Sequence, residues 1–236
     1  ERPGNNPRDF YRASLHLSEY IRYTLTQKKE SVWIAQRNGR TKDGIDRTDQ
    51  GIIKMFGMSR TDNKVDSLAE LNIVPVAVSY EWESCDILKT LELYASQNTK
   101  YVKKPGEDLN SILTGIMQPK GRVHIEFCDL VTKDDLMQFS EATTSDFNRQ
   151  VASLLDERIC RAYRLTPNNY IAHDLRFGNT MYGAYYTSEQ KDAYMKHLLK
   201  LQNYAESCEM DLLYDIFLGI YSNPVDSKNK YGKQSV

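Results

Sequence analysis

Between Gln36 and Gly44 the chain reads QRNGRTKDG, and three cations, Arg37, Arg40 and Lys42, fall within six consecutive positions. A guanidinium presents a planar fork that matches phosphate oxygens, and an ammonium adds a compact point charge. Gly39 and Gly44 allow the backbone to turn tightly and to approach a ligand. Two readings follow: a solvated polar turn, or an anion clamp at the end of a strand. General acid–base chemistry needs more, namely a histidine within hydrogen-bond reach of the group it serves. One string, His124 to Asp129, has the spacing H-x-x-x-x-D. The alternation of Val123, Ile125 and Phe127 makes it a strand, in which positions five apart face opposite ways and lie ~16 Å apart. The pair is rejected on that geometry. His173 and Asp174 are adjacent on a helical stretch, where neighbours do not face each other. His16 reads as a surface or boundary residue of the first helix and His197 as part of an amphipathic helix. The residues offer an anion site without a base.

The elements that must hold this loop alternate between helix and strand. Phe10, Ala13, Leu17 and Ile21 put one apolar face on a helix from Asp9, its candidate cap, to about Gln27. Val32–Ala35 reads as a core strand leading into the loop. Short helices follow at Ile52–Phe56 and Asp66–Leu71. The β-branched run Ile73–Val78 predicts a strand buried on both faces, with Pro75 marking an edge, a bulge or a lapse of pairing. A helix at Asp86–Ser96, a basic loop at Lys100–Gly106 and a helix at Asn110–Met117 lead to a strand over Arg122–Val131. There Val123, Ile125 and Phe127 are expected to face the core. Helices are predicted over Asp146–Tyr163, Tyr170–Phe177, Ser188–Ala205 and Asp211–Tyr221, then a loose polar tail from Ser222. The expected fold class is α/β, a mixed central sheet flanked by helices with a helical C-terminal extension. The expected boundaries are 1–131 for the α/β core, 132–222 for the helical region and 223–236 for the tail.

Composition narrows the function. A net charge of −1 over 236 residues gives no global field for nucleic acid or anionic lipid, so any electropositive site is local. Cys85, Cys128, Cys160 and Cys208 are far apart, which argues against a zinc site or disulfide framework and suits a reducing compartment. No apolar run approaches the ~20 residues of a spanning helix, and no signal peptide is visible.

Three segments in one order carry a resemblance. IAQRNGRTKDG resembles the third motif of the glycerolipid acyltransferase superfamily, a strand followed by E-G-x-R-S-x-x-G. IVPVAVSYE resembles its fourth motif, an apolar strand with a central proline. KGRVHIEFCDLV resembles the G-x-V-x-V-x-F-G strand that follows, and Glu1-Arg2-Pro3 stands where the second motif would end. The resemblance spans about residues 1–131. It implies transfer of a fatty acyl group from acyl-coenzyme A or acyl carrier protein to a hydroxyl of glycerol-3-phosphate or lysophosphatidate. Gly39 and Arg40 match the motif's glycine and arginine, with one gap because here they are adjacent, and Thr41 matches its serine. The motif's glutamate is replaced by Asn38 or Arg37. The implied substrate-binding set is Arg40 as principal phosphate contact, with Arg37, Lys42, Gly39, Thr41, Pro75 and Arg2. No cofactor, metal or nucleic acid is implied. The family's base and orienter, in N-H-x-x-x-x-D, precede the second motif, so they are expected in a segment upstream of Glu1; the chain also starts without methionine. A lipid product implies peripheral contact with the cytoplasmic face of a membrane, through the Lys100–Lys104 loop with Tyr101 and Val102 or through apolar faces of the C-terminal helices. The alternative is a catalytically inactive module of the same fold that binds lipid phosphate or a protein partner.

Overall fold

Asn6 opens the first helix by accepting the Arg8 N–H at 3.0 Å on its side chain, and Pro7 stands at the start, where no amide donor is needed. This computed structural model describes residues 6–37, 39, 41–97 and 101–232. Helix α1 (Pro7–Tyr23) runs into a π-type turn at Thr24–Lys28, ended by Lys29 in the left-handed region. Then come α2 (Gln50–Gly57), α3 (Lys64–Ala69), β1 (Val76–Tyr80), α4 (Asp86–Ala95), α5 (Glu107–Met117), β2 (Val123–Phe127), α6 (Lys133–Met137), α7 (Thr144–Ala162), α8 (Pro167–Phe177), α9 (Ser188–Leu198) and α10 (Met210–Gly232). Asp49 and Asn63 cap α2 and α3, and Thr132 and Asp135 form a reciprocal capping box on α6.

Helices take 61% of the chain, so the molecule is predominantly helical, and its helical C-terminal region is as expected. The sheet found among the described residues is the pair β1–β2. Glu81 N–H bonds to Arg122 O at 2.9 Å and Cys128 N–H to Pro75 O at 2.9 Å, so numbers rise on one strand as they fall on the other and the pair is antiparallel. Three strand expectations need correction. Residues 31–35 are not assigned to a strand and pair with none among the described residues; Trp33 is 73% exposed. β1 starts after Pro75 and alternates, with Ala77 and Ser79 buried and Val76 and Val78 half-buried, so it is not buried on both faces. On β2 the apolar residues Val123, Ile125 and Phe127 face solvent, Phe127 at 71%. Alternation identifies a strand, but a period of two does not say which face meets a partner.

The chain divides into two compact units, residues 1–40, 47–76 and 127–159, and residues 41–46, 77–126 and 160–236. In the first, Ile21, Ile53, Phe56, Leu68, Leu136, Phe147 and Val151 build the core. The buried side of α1 is Ser18 and Ile21, whereas Phe10 and Leu17 are exposed. Arg22 satisfies its fork there, with Nη2 donating to the Phe56 and Ser67 carbonyls at 3.1 Å and Nε to Ser59 Oγ at 3.0 Å. In the second unit, Ile171, Tyr194, Leu201, Leu213, Phe217 and Tyr221 build a separate core. Up to Gly232 the expected loose tail is instead the second half of α10, which runs through Pro224, while its last four residues lie outside the described ones. A proline inside a helix leaves the carbonyl four residues back without its donor. That carbonyl belongs to Ile220, and the loop at Gly44 packs directly against it. Lys228 then ties α10 down, donating to the Arg161 and Tyr163 carbonyls at 2.8 and 2.7 Å.

Candidate functional site

The cationic loop falls in both units, and each part is described within its own. In the first, the Gln36 carbonyl accepts from Asp49 N–H at 2.8 Å, and Thr48 donates through N–H and Oγ1 to Asp156 at 2.7 and 2.6 Å. These bonds fix the backbone on either side of the loop. Arg37 is half-buried in a bend and forms no ion pair or hydrogen bond among the described residues. Gly39 has φ +81°, and a Cβ there would meet nothing within 4 Å. The backbone at Gly39 is therefore open to an approaching group. Pro75 is buried, and its carbonyl takes part in pairing with Cys128. Pairing does not lapse there: proline lacks a donor, but the acceptor suffices. Arg2 and Arg40 lie outside the described residues.

In the second unit the loop serves the fold. Thr41 Oγ1 donates to Asp46, and the Lys42 ammonium pairs with Glu92 of α4. Asp43 O accepts from Asn223 Nδ2 at 2.7 Å. Gly44, at φ +73°, has the Ile220 carbonyl oxygen 2.2 Å from where a Cβ would stand. The close approach that glycine permits here is to helix α10. Two members of the expected clamp, Thr41 and Lys42, thus already hold intramolecular acidic partners.

The strongest polar centre was not foreseen. Asp86, in the first turn of α4, is 4% exposed. Its carboxylate accepts from Ile87 N–H at 2.7 Å, from Tyr221 Oη of α10 at 2.7 Å, and from His197 Nε2 of α9 at 2.7 Å. Tyr221 Oη in turn accepts Glu83 N–H at 3.0 Å. His197 Nδ1 lies 3.1 Å from Lys200 Nζ, which can only donate, so Nδ1 accepts and Nε2 carries the proton directed at Asp86. Trp82 packs on the imidazole at 4.9 Å and Phe217 at 5.9 Å between centroids. Burial, and next the Asp86 charge, push the Tyr221 and Tyr194 hydroxyls well above their ordinary pKa. A carboxylate with three donors is the normal solution for a buried charge. An imidazole held this way has the orientation of a general base. Its second nitrogen, however, is taken by Lys200, and the flanking groups are aromatic. The arrangement ties α4, α9 and α10 together around one charge. A first-turn acid on α4 and a last-turn histidine on α9 were visible in the sequence as dipole partners. Their meeting across 111 positions was not.

The other histidines behave as expected. His124 Nε2 lies 3.0 Å from Glu126, two residues on and on the same strand face, not against Asp129. His173 faces Asp226 at 3.6 Å while its neighbour Asp174 engages Tyr182 N–H and Tyr186 Oη. Among the described residues no group of His, Cys, Asp and Glu could hold a metal, and no helix is long and apolar enough to cross a membrane. Family models, curated proteins and solved structures were each searched with this chain, and none matches it.

Proposed function

We propose that this chain is the substrate-phosphate-binding and C-terminal portion of an O-acyltransferase of glycerophospholipid synthesis, moving a fatty acyl group from a thioester donor to a hydroxyl of glycerol-3-phosphate or lysophosphatidate. The observation that carries the reading is Arg37: a half-buried guanidinium with no carboxylate partner among the described residues, two positions from an open glycine turn. A cation held partly out of water without a counter-charge is suited to an anionic ligand, and a fork suits phosphate. Arg40 is the second proposed contact, on the motif match alone. The acceptor's proton would be removed by a His/Asp pair in chain beyond these residues. The strands β1 and β2 are proposed to belong to a larger mixed sheet, because among the described residues the apolar face of β2 is bare and each strand pairs on one edge only. Contact with the membrane is proposed to be peripheral, on the cytoplasmic face.

A second reading, a non-catalytic module that binds lipid phosphate, is favoured by Thr41 and Lys42 being engaged with Asp46 and Glu92. Calorimetry with glycerol-3-phosphate and thioester-release kinetics on the full-length protein separate the two. The enzyme reading expects turnover that falls ~10- to 150-fold in Arg37→Ala or Arg40→Ala, the loss of a charge-assisted phosphate contact being worth ~1.5–3 kcal/mol each. Binding without turnover in the unsubstituted protein would leave the module, and absence of both would remove the phosphate site altogether.

A further inference from the structure

A second unpaired guanidinium stands at the neck of the cationic loop. The bond from Asp49 N–H to Gln36 O, 2.8 Å long, draws the two limbs of the loop together. Arg37 lies one residue inside this bond on the first limb, and Arg47 two residues inside it on the second. Both belong to the first unit. Arg47 is exposed and, like Arg37, forms no ion pair or hydrogen bond among the described residues. The two residues after it have bonded amides, Thr48 to Asp156 of α7 at 2.7 Å and Asp49 to Gln36. Thr48 Oγ1 adds a second bond to the same carboxylate at 2.6 Å, so the backbone that carries Arg47 is anchored. Other arginines of this unit find acids: Arg22 and Arg60 share Glu70, Arg149 pairs with Asp146 and Arg158 with Asp135. The acids of the loop instead answer neutral donors. Asp43 accepts Ile45 N–H at 3.0 Å, Asp46 accepts Thr41 Oγ1, and Asp49 accepts Gly51 N–H at 2.8 Å.

We propose that Arg47 is a second contact for the substrate phosphate, acting with Arg37 across the neck, and that Asp156 is the positioning residue that holds Arg47 there through Thr48. Like charges on facing limbs repel, and an anion between them turns that cost into attraction. The ligand class is a phosphate monoester, which approaches two negative charges at neutral pH and offers oxygens to two forks. A phosphate diester carries one charge and answers one. This inference rests on the phosphate-site reading. It adds a residue outside the motif match, and it gives α7, which lies beyond the stretch of resemblance, a part in the site.

The test is calorimetry of the full-length protein with glycerol-3-phosphate, with lysophosphatidate and with the diester glycerophosphocholine. The first two share the phosphate monoester and differ in the acyl chain, so the tighter of them names the source and must show the losses. Arg47→Ala should weaken it ~10- to 150-fold, the range for one charge-assisted contact. Arg47→Lys keeps the charge without the fork and should recover only part of that. Arg12→Ala, at an exposed arginine of α1, should change affinity less than ~2-fold, because distant surface charges are screened. Asp156→Ala should weaken binding several-fold, and Asp156→Asn, which keeps an acceptor for Thr48, should restore most of it. In the Arg47→Ala background Asp156→Ala should add nothing, since it acts through Arg47. A further loss there would make Asp156 a support of the fold only. Arg47 is exposed, so thermal unfolding of Arg47→Ala should match the unsubstituted protein. Monoester binding that survives Arg47→Ala but not Arg37→Ala overturns the proposal and leaves the phosphate site standing. Equal losses in Arg47→Ala and Arg12→Ala overturn it as well, as does a diester bound as tightly as the monoester. Absence of monoester binding in the unsubstituted protein sinks the phosphate reading itself, and this inference with it.

Discussion

Helices α5 and α10 are written with the same kind of apolar repeat and meet opposite fates. On α10, Leu213, Phe217, Ile220, Tyr221 and Val225 are buried against α8 and α4, while on α5 no side chain is. The difference lies in what each helix finds. The face of α10 also carries polar atoms that neighbours complete: Tyr221 Oη donates to Asp86, and the Tyr221 carbonyl accepts from Asn169 Nδ2 at 2.8 Å. Against α5 the Cys85 thiol donates to the Ser111 carbonyl and lies beside Gly115, with the Ser84 hydroxyl near the same glycine. Amphipathic periodicity therefore identifies a face that prefers to leave water without naming what covers it.

Four substitutions test that contrast, beginning with the largest effect. Phe217→Ala should cost ~3–5 kcal/mol, since a ring with no exposed surface leaves a cavity, while Leu113→Ala on α5 should stay within ~0.5 kcal/mol. Urea unfolding of both variants reads the difference, and similar costs would break the comparison. Tyr221→Phe keeps the ring and removes the hydroxyl that serves Asp86 and Glu83 N–H, so it should cost ~1–3 kcal/mol without altering helix content. A neutral result would mean that the polar contacts on α10 are incidental to its burial. The smallest effect is expected at the exposed end of the sheet. The Arg122 guanidinium, and secondarily its backbone N–H, hold the Glu81 carboxyl below its ordinary 4.5 against the opposing pull of burial. A lowered folded pKa contributes stability that is complete above 4.5 and lost as pH falls through the folded value. Arg122 is 68% exposed, so the pair should be worth only ~0.2–1 kcal/mol. Arg122→Ala should destabilise the chain slightly at pH 7 and progressively less as the pH falls through the lowered Glu81 value; a loss that stays constant in acid would point to packing of the arginine stem instead.

How far the fold could be read in advance depended on whether an element is defined by its own residues. Eight of the helices, α1 to α5 and α7 to α9, start within a few positions of where they are expected, because apolar periodicity acts locally, although α1 is capped by Asn6 and not by Asp9. The capping box Thr132–Asp135 was present in the sequence and α6 was still missed, since five residues give too little period to notice. Strands fared worse. Val32–Ala35 has the composition of a strand and no strand partner among the described residues, and β2 has the right alternation with the apolar side out. Pairing and coverage are properties of two segments at once, and neither is written in one of them.

The candidate site divides along the same line. The sequence alone placed three cations and two glycines between Arg37 and Gly44, because charge, fork geometry and backbone freedom belong to the residues themselves. Only the tertiary structure separated their roles. Lys42 is drawn to Glu92 fifty positions away, and Gly44 is consumed by the close approach of Ile220, while Arg37 is left without a counter-charge among the described residues. The same holds for Asp86 and His197, unremarkable apart and joined at 2.7 Å once α4, α9 and α10 pack together. A side chain's chemistry is fixed by its identity, but its partner is fixed by where distant segments bury it, and at hydrogen-bond range the partner decides whether a charge holds the fold or remains for a ligand.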